Sequence, residues 1–400
     1  MKRCRRILAM LFSLFYPLFQ TFGTLFGVIA DFWWLFGPIV LFPMLFELWM
    51  NYIHTKFAMS INWIDIEVII PLEIQKTPKA MEQIFAHLHG IQGGQNILEK
   101  YLDGEFQLTL SMEIVSIGGD VHFIVHTPDK FKGLVETSIY SQYPAAEIRV
   151  VDDYMKALPK SLPDDTYNLW GTELKFLKDA AYPIKTYPQF EFQEEYSTKR
   201  IDPLSGIMEA MTTLRPGEIA GLQFILSPLD DKWVAGGQKI IEEMLKKTQG
   251  PPMRFMSSGE DAIIKAVGMK MSKLAFATRL RFIYIAPSVS FNKGFRGLVL
   301  SAFKQFNTQD LNGLRPDGDI STSVDYFYQK KHELFKKQAL YKAYLRRSFQ
   351  WRHLTKAPLV LNIEELATLY HFPGLEVAAP LGRTSYKKAE PPSGLPIISQ

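Results

Sequence analysis

The stretch NWIDIEVII, residues 62–70, alternates: Ile64, Ile66, Val68 and Ile70 fall on one side of an extended chain, Asp65 and Glu67 on the other. A period of two is that of a β-strand, and an apolar face backed by a charged one predicts a sheet packed on one side and wet on the other. Downstream, Thr77-Pro78 supplies an N-cap and a first helical residue, and Met81, Ile84, Phe85 and Leu88 recur at helical spacing up to Gly90. Phe106, Leu108, Leu110, Met112 and Ile114 then alternate with Gln107, Thr109, Ser111 and Glu113, and Gly118-Gly119 turns the chain into Val121, Phe123 and Val125. A helix over 129–143 and a strand over 147–151 complete the order β-α-β-β-α-β, which is that of the ferredoxin-like, or split βαβ, sandwich.

A weaker version of the pattern follows. A strand over 219–226 leads through Asp230-Asp231 into a helix carrying Ile240, Ile241, Met244 and Leu245; after Gly250-Pro251-Pro252 come a helix over 260–267, a strand over 274–286 and a helix over 295–306. The expectation is an α+β chain of tandem ferredoxin-like domains, the first at 59–155 and the second, diverged and with insertions, at 156–375. Residues 152–201 read as a connection with some strand content, and 376–400, with Pro391-Pro392-Ser393-Gly394, as a linker-like tail.

Residues 1–58 read as a membrane anchor. Lys2, Arg3, Arg5 and Arg6 precede an uncharged run over 7–30, and a second apolar run over 32–53 is interrupted only by Glu47. At 1.5 Å per residue each run reaches across a hydrocarbon core of about 30 Å. Trp33, Trp34, Trp49 and Tyr52 bracket the second as interfacial residues do, and the basic start favours a cytosolic N-terminus. Two transmembrane helices then give a multi-pass protein of the bacterial inner membrane whose remaining residues face the cytosol. An alternative for the first run is a helix lying in the membrane plane, since Ser13, Gln20 and Thr24 oppose Phe12, Phe15, Phe19, Phe22 and Phe26.

With 47% hydrophobic and 22% charged residues the composition is that of a globular chain, and a net charge of +4 is too small for a nucleic-acid coat. Cys4 is the only cysteine, which excludes internal disulfides and cysteine-based metal centres. No G-x-x-x-x-G-K-[ST] loop is present to cradle phosphates, and no G-x-S-x-G elbow to expose a nucleophile. His122 and His126 fall on the polar strand face with Asp65, Glu67 and Glu113, a mixed donor set for a metal, although a wet sheet face predicts the same residues. No residue is assigned as catalytic, as a metal ligand or as a cofactor contact.

The densest charge lies over 325–353, where Lys330, Lys331, Lys336, Lys337, Lys342, Arg346, Arg347 and Arg352 oppose only Asp325 and Glu333, interleaved with Tyr328, Phe335, Tyr341, Tyr344, Phe349 and Trp351. Three readings compete: a solvated helix whose aromatics pack on the domain, a contact for anionic lipid headgroups, and a contact for DNA, in which cations neutralise phosphates while rings stack.

The phrases WIDIEVIIP (63–71), KTPKAMEQIFAHLHG (76–90), NIEELATLYHFP (362–373) and KKAEPPSGLP (387–396) resemble the membrane-linked N-terminal part, a domain of unknown function, of type IV secretion or conjugative-transfer ATPase-like proteins from small-genome, candidate-phylum (Patescibacteria-type) bacteria. In longer members that tail leads into a P-loop motor, which this sequence lacks. The resemblance implies a non-catalytic docking or scaffold component that works with membrane lipid and a separate P-loop ATPase, with homo-oligomers and DNA as further partners. The alternative is a tethered nucleic-acid-binding protein acting through 325–353.

Overall fold

The computed structural model describes residues 33–71, 76–190, 202–249, 257–323, 329–349 and 357–373, with positions 20, 27, 31 and 255 besides. The described chain falls into two units, one of residues up to Ile61 with Gly94–Phe106 and one of the remainder.

The first unit is built on helix α1 (Trp33–Ser60), which contains Pro38 and Pro43. Trp49 Nε1 donates to the Tyr101 carbonyl at 3.0 Å, and Phe57 meets Phe106 edge-on. Gly104 has a φ of 73° against the Ile53 backbone, where a Cβ would come within 2.5 Å. Among the described residues no helix is long and apolar enough to cross a membrane, which overturns the transmembrane hairpin and, with it, the multi-pass inner-membrane location. The reason lies in α1 itself. Its uncharged start, Trp33 to Phe46, rises only about 21 Å, and Glu47, Asn51, His54 and Lys56 follow on the same helix. The predicted span over 7–30 lies outside the described residues but for Gln20 and Gly27.

The second unit holds strands β1 (Trp63–Ile69), β2 (Leu110–Ile117), β3 (Asp120–Pro128), β4 (Glu147–Val151), β5 (Tyr167–Phe176), β6 (Ile219–Pro228), β7 (Ala275–Pro287), β8 (Leu314–Pro316) and β9 (Leu359–Asn362). They form a single nine-stranded sheet in the order β4-β1-β3-β2-β6-β7-β5-β8, with β9 also on β7. All pairings are antiparallel, and β9 and β5 divide one edge of β7 between them. The expectation of tandem ferredoxin-like domains is therefore wrong: the sheet is not of ferredoxin type. Leu110 through Ile117 pair without a break with Leu226 through Ile219, so the edge where a first domain would end is the middle of the sheet.

On one face Ile66, Val68, Met112, Ile114, Phe123, Val125, Leu222, Phe224, Phe282 and Tyr284 form the main core. Helices α2 (Lys79–Leu88), α3 (Lys132–Gln142), α4 (Ser205–Thr212), α7 (Lys293–Ala302) and α9 (Ile363–Leu369) cover it, while α5 (Val234–Gln249) and α6 (Ser258–Met271) pack on each other. Burial rather than capping seats α2: it has no side-chain cap, yet Met81, Ile84, Phe85 and Leu88 are buried, each contributing about 1.5–3 kcal/mol against about 1 kcal/mol for a cap. α9 has both. Asn362 and Glu365 form a reciprocal capping box, and Glu365 also takes the ammonium of fully buried Lys270 at 3.0 Å.

The opposite face carries the charged half of the alternation, and it is not wet. Helix α8 (Gln329–Leu345) lies across part of it, packing Tyr341 and Tyr344 against Leu169, Ile283 and Ile285.

Candidate functional site

The basic segment, examined residue by residue, divides into two sets. Arg347 follows the last turn of α8 with a φ of 46°, a left-handed conformation usually given to glycine at a helix end. Its backbone closes the helix, N–H to the Tyr344 carbonyl at 3.0 Å, and its side chain turns under the helix. There Nε donates to Glu113 Oε1 at 2.8 Å, Nη1 and Nη2 clasp Asp153 at 2.8 and 3.0 Å, and Nη2 stands 3.3 Å from Asp65.

Glu113, fully buried, is the hub. It also accepts from Gln223 Nε2 at 3.0 Å, Ser111 Oγ at 2.7 Å and the Tyr154 hydroxyl at 2.8 Å, and Tyr154 in turn meets the Tyr344 hydroxyl at 2.7 Å. Burial pushes the Glu113 carboxyl up, but the Arg347 charge and these donors outweigh it and hold the group below the ordinary carboxylate range. For Asp153 the same contest, burial against the Arg347 fork, ends the same way. Burial raises both Tyr154 and Tyr344, which stay neutral.

A second arginine repeats the device. Arg281, fully buried, donates to Glu173 at 2.6 Å, to Gln223 Oε1 at 3.2 Å, to the Ala343 carbonyl at 3.1 Å and to the Ser348 carbonyl. Two guanidinium groups thus tie four carboxylates of the sheet side, Asp65, Glu113, Asp153 and Glu173, to the C-terminal end of α8. With its acceptor positions filled by neighbours and no exposed surface, Glu113 has no open side on which to receive a substrate proton. The layer is a fastening.

The histidines of this face join it. His126 Nδ1 pairs with Asp65 at 2.8 Å and its ring stacks on Trp63; His122 Nδ1 pairs with Glu67 at 2.6 Å, a hydrogen bond that is the chief cause of that carboxyl's lowered pKa. Among the described residues no group of three or more His, Cys, Asp or Glu side chains is placed to hold a metal ion.

Of the predicted contacts, Arg347 and Lys337 are buried; Lys337 is paired with Glu333 at 2.6 Å and with Asn168 at 2.9 Å. Lys336 donates to the Gly318 and Ser321 carbonyls. Arg352 lies outside the described residues. Lys330, Lys331, Lys342 and Arg346 are exposed. Lys331, Phe335, Gln338 and Lys342 stand at helical spacing on the outer side of α8, beside Leu334, and Phe335 is 67% exposed. Tyr341 and Tyr344 are buried and offer no face to a base.

Comparison with curated proteins finds no match. Nothing in these comparisons ties the chain to secretion ATPases, to conjugation or to any taxon. Residues 66–381 of the 400 match the family described as Domain of unknown function (DUF8128), a stretch that takes in the sheet from Ile66 onward and the fastening except for Asp65, and the chain belongs to that family.

Proposed function

We propose that this chain is a non-catalytic docking module that presents the outer stripe of α8 to a protein partner. One observation supports this above others: α8 is tied down from beneath by Arg281 and Arg347 while Lys331, Leu334, Phe335 and Lys342 are left outward. The exposed Phe335 beside exposed Leu334 puts an apolar spot on an otherwise charged stripe. Apolar side chains flanked by lysines suit a partner whose surface is apolar at the centre and acidic at the rim. A P-loop ATPase, the partner class implied by the resemblance in the sequence, is the first to test.

The test places a photo-crosslinking residue at position 335 of the full-length chain in its native cells, with and without Lys331→Glu and Lys342→Glu. Capture of one ATPase chain, lost with the charge reversals while thermal stability is unchanged, is the expected result. Irradiation that captures nothing sinks the docking reading, and capture of the chain itself replaces the partner with a second copy. Exposed Lys330, Lys331, Lys342 and Arg346 keep nucleic acid as a second reading, resting on phosphate contacts alone; DNA retention that falls steeply with salt and vanishes in the double variant would favour it.

A further inference from the structure

Away from that stripe, between β5, the start of α7 and the first turns of α8, lies a cleft of about 230 Å³ walled in part by Trp170, Lys293, Arg296, Ser323, Glu333 and Lys337. Pockets for drug-sized molecules begin at about 300 Å³, so the space suits a small ligand.

Its charges are unbalanced. Glu333, the carboxylate of these walls, is already paired with Lys337, which also donates to Asn168. Lys293 and Arg296 have no carboxylate partner among the described residues. Arg296 is nonetheless held: its guanidinium lies over the Trp170 ring, 5.6 Å from the centroid, and Nη1 donates to Ser323 Oγ at 2.6 Å. The same Oγ accepts from Trp170 Nε1 at 2.9 Å. With both acceptor positions filled, the Ser323 hydroxyl is left to donate. The positive end of α7 stands at the same wall, where Asn292 accepts from the Gly294 N–H at 2.8 Å. What remains unspent is therefore donors: the other N–H groups of Arg296, the Lys293 ammonium and the Ser323 hydroxyl.

We propose that this cleft binds a phosphate dianion, either free phosphate or the monoester of a small molecule such as a sugar phosphate. A tetrahedral dianion accepts from several directions at once and matches two unpaired cations, whereas a carboxylate is satisfied by the fork of Arg296 alone. Single-stranded nucleic acid is disfavoured, because Trp170 is only 7% exposed and Arg296 occupies its face, leaving no platform for a base.

Titration calorimetry on the full chain, with inorganic phosphate, glucose 6-phosphate, acetate and malonate at up to about 10 mM, ten times the dissociation constant of a weak millimolar site, tests this. Saturable binding of either phosphate compound is expected, weakened about tenfold in Arg296→Gln and in Lys293→Gln. Lys293 is exposed, so its variant keeps the fold even where loss of the Arg296 stack on Trp170 loosens it. Tighter binding of glucose 6-phosphate identifies a monoester site, and tighter binding of phosphate a site for the free ion. Silence from both compounds, equal binding of malonate or acetate, or indifference to both variants overturns the proposal.

Discussion

Arg347 is the residue on which the charged layer turns. Removing the guanidinium while keeping volume, as in Arg347→Met, leaves Glu113 buried without the guanidinium it is hydrogen-bonded to, a change that costs about 3–5 kcal/mol. The pH dependence carries a signature. In the native protein Glu113 and Asp153 are held below the usual carboxylate range, so the stability they contribute is complete above about pH 4.5, where the unfolded chain is ionised, and is lost as pH falls through their lower folded values. In the variant burial is opposed by the Ser111, Tyr154 and Gln223 donors but no longer by Arg347, so the Glu113 pKa rises from its native value and the penalty at neutral pH is relieved by acid. Urea denaturation is expected to show the full gap between the two proteins at pH 7 and a narrowing gap below about pH 4.5; a gap constant with pH counts against the buried pair. None of this was legible in the sequence. Asp65, Glu67 and Glu113 were correctly placed on one strand face, but Glu113 and Arg347 are separated by 234 positions, and a charged face without a visible partner reads as a wet one.

At the scale of elements, α8 and the sheet approach closely where the strands have glycine. A Cβ on Gly171 would lie 2.9 Å from the Phe282 carbonyl oxygen and 2.5 Å from Leu340 Cδ2, and one on Gly221 would meet the Tyr344 hydroxyl at 2.0 Å. Gly171→Ala is expected to destabilise by about 1–3 kcal/mol, since a ladder carbonyl cannot step aside. Gly268→Ala, in α6 with nothing within 4 Å, is the control and should hold stability or add up to about 1 kcal/mol. Equal losses at both sites would remove the close-packing explanation. The same glycines explain what the sequence concealed. In β5, YNLWGTELKF, both faces are buried, with Leu169, Gly171 and Glu173 on one and Trp170, Thr172 and Leu174 on the other, so no period of two stands out and the strand reads as connection. Clean alternation in β1, β2 and β3 was readable because charged or polar residues such as Asp65, Glu67, Glu113 and His122 fall between the apolar ones there. The basic helix was readable as a helix with a charged face, but which cations point inward depends on Asn168, Glu113 and Asp153, all far away in sequence.

At the scale of the molecule, continuity of the sheet determines what can stand alone. If the two halves were separate domains, fragments 62–158 and 159–373 would each fold. With β2 and β6 paired along their length, each half exposes a long edge and an uncovered apolar face, and the layer beneath α8 is split between them. Each fragment alone is expected to give the collapsed amide spectrum of an unfolded chain, and co-expression to restore dispersion; a well-dispersed spectrum from either fragment by itself would contradict the single-sheet architecture. Only the order of elements was available from local pattern, and it could not reveal that the outer edge of β2 is claimed by a strand more than a hundred residues later.

That seam also governs time. Even the nearest partners, Ile117 and Ile219, must find each other across about a hundred intervening residues before any β2–β6 hydrogen bond forms. Loop-closure entropy is thus spent early and rewarded late. During synthesis the first strands leave the ribosome with the β2 edge bare for about a hundred residues of elongation, roughly 5–20 seconds at about 5–20 residues per second, an interval in which the charged faces of those strands oppose aggregation.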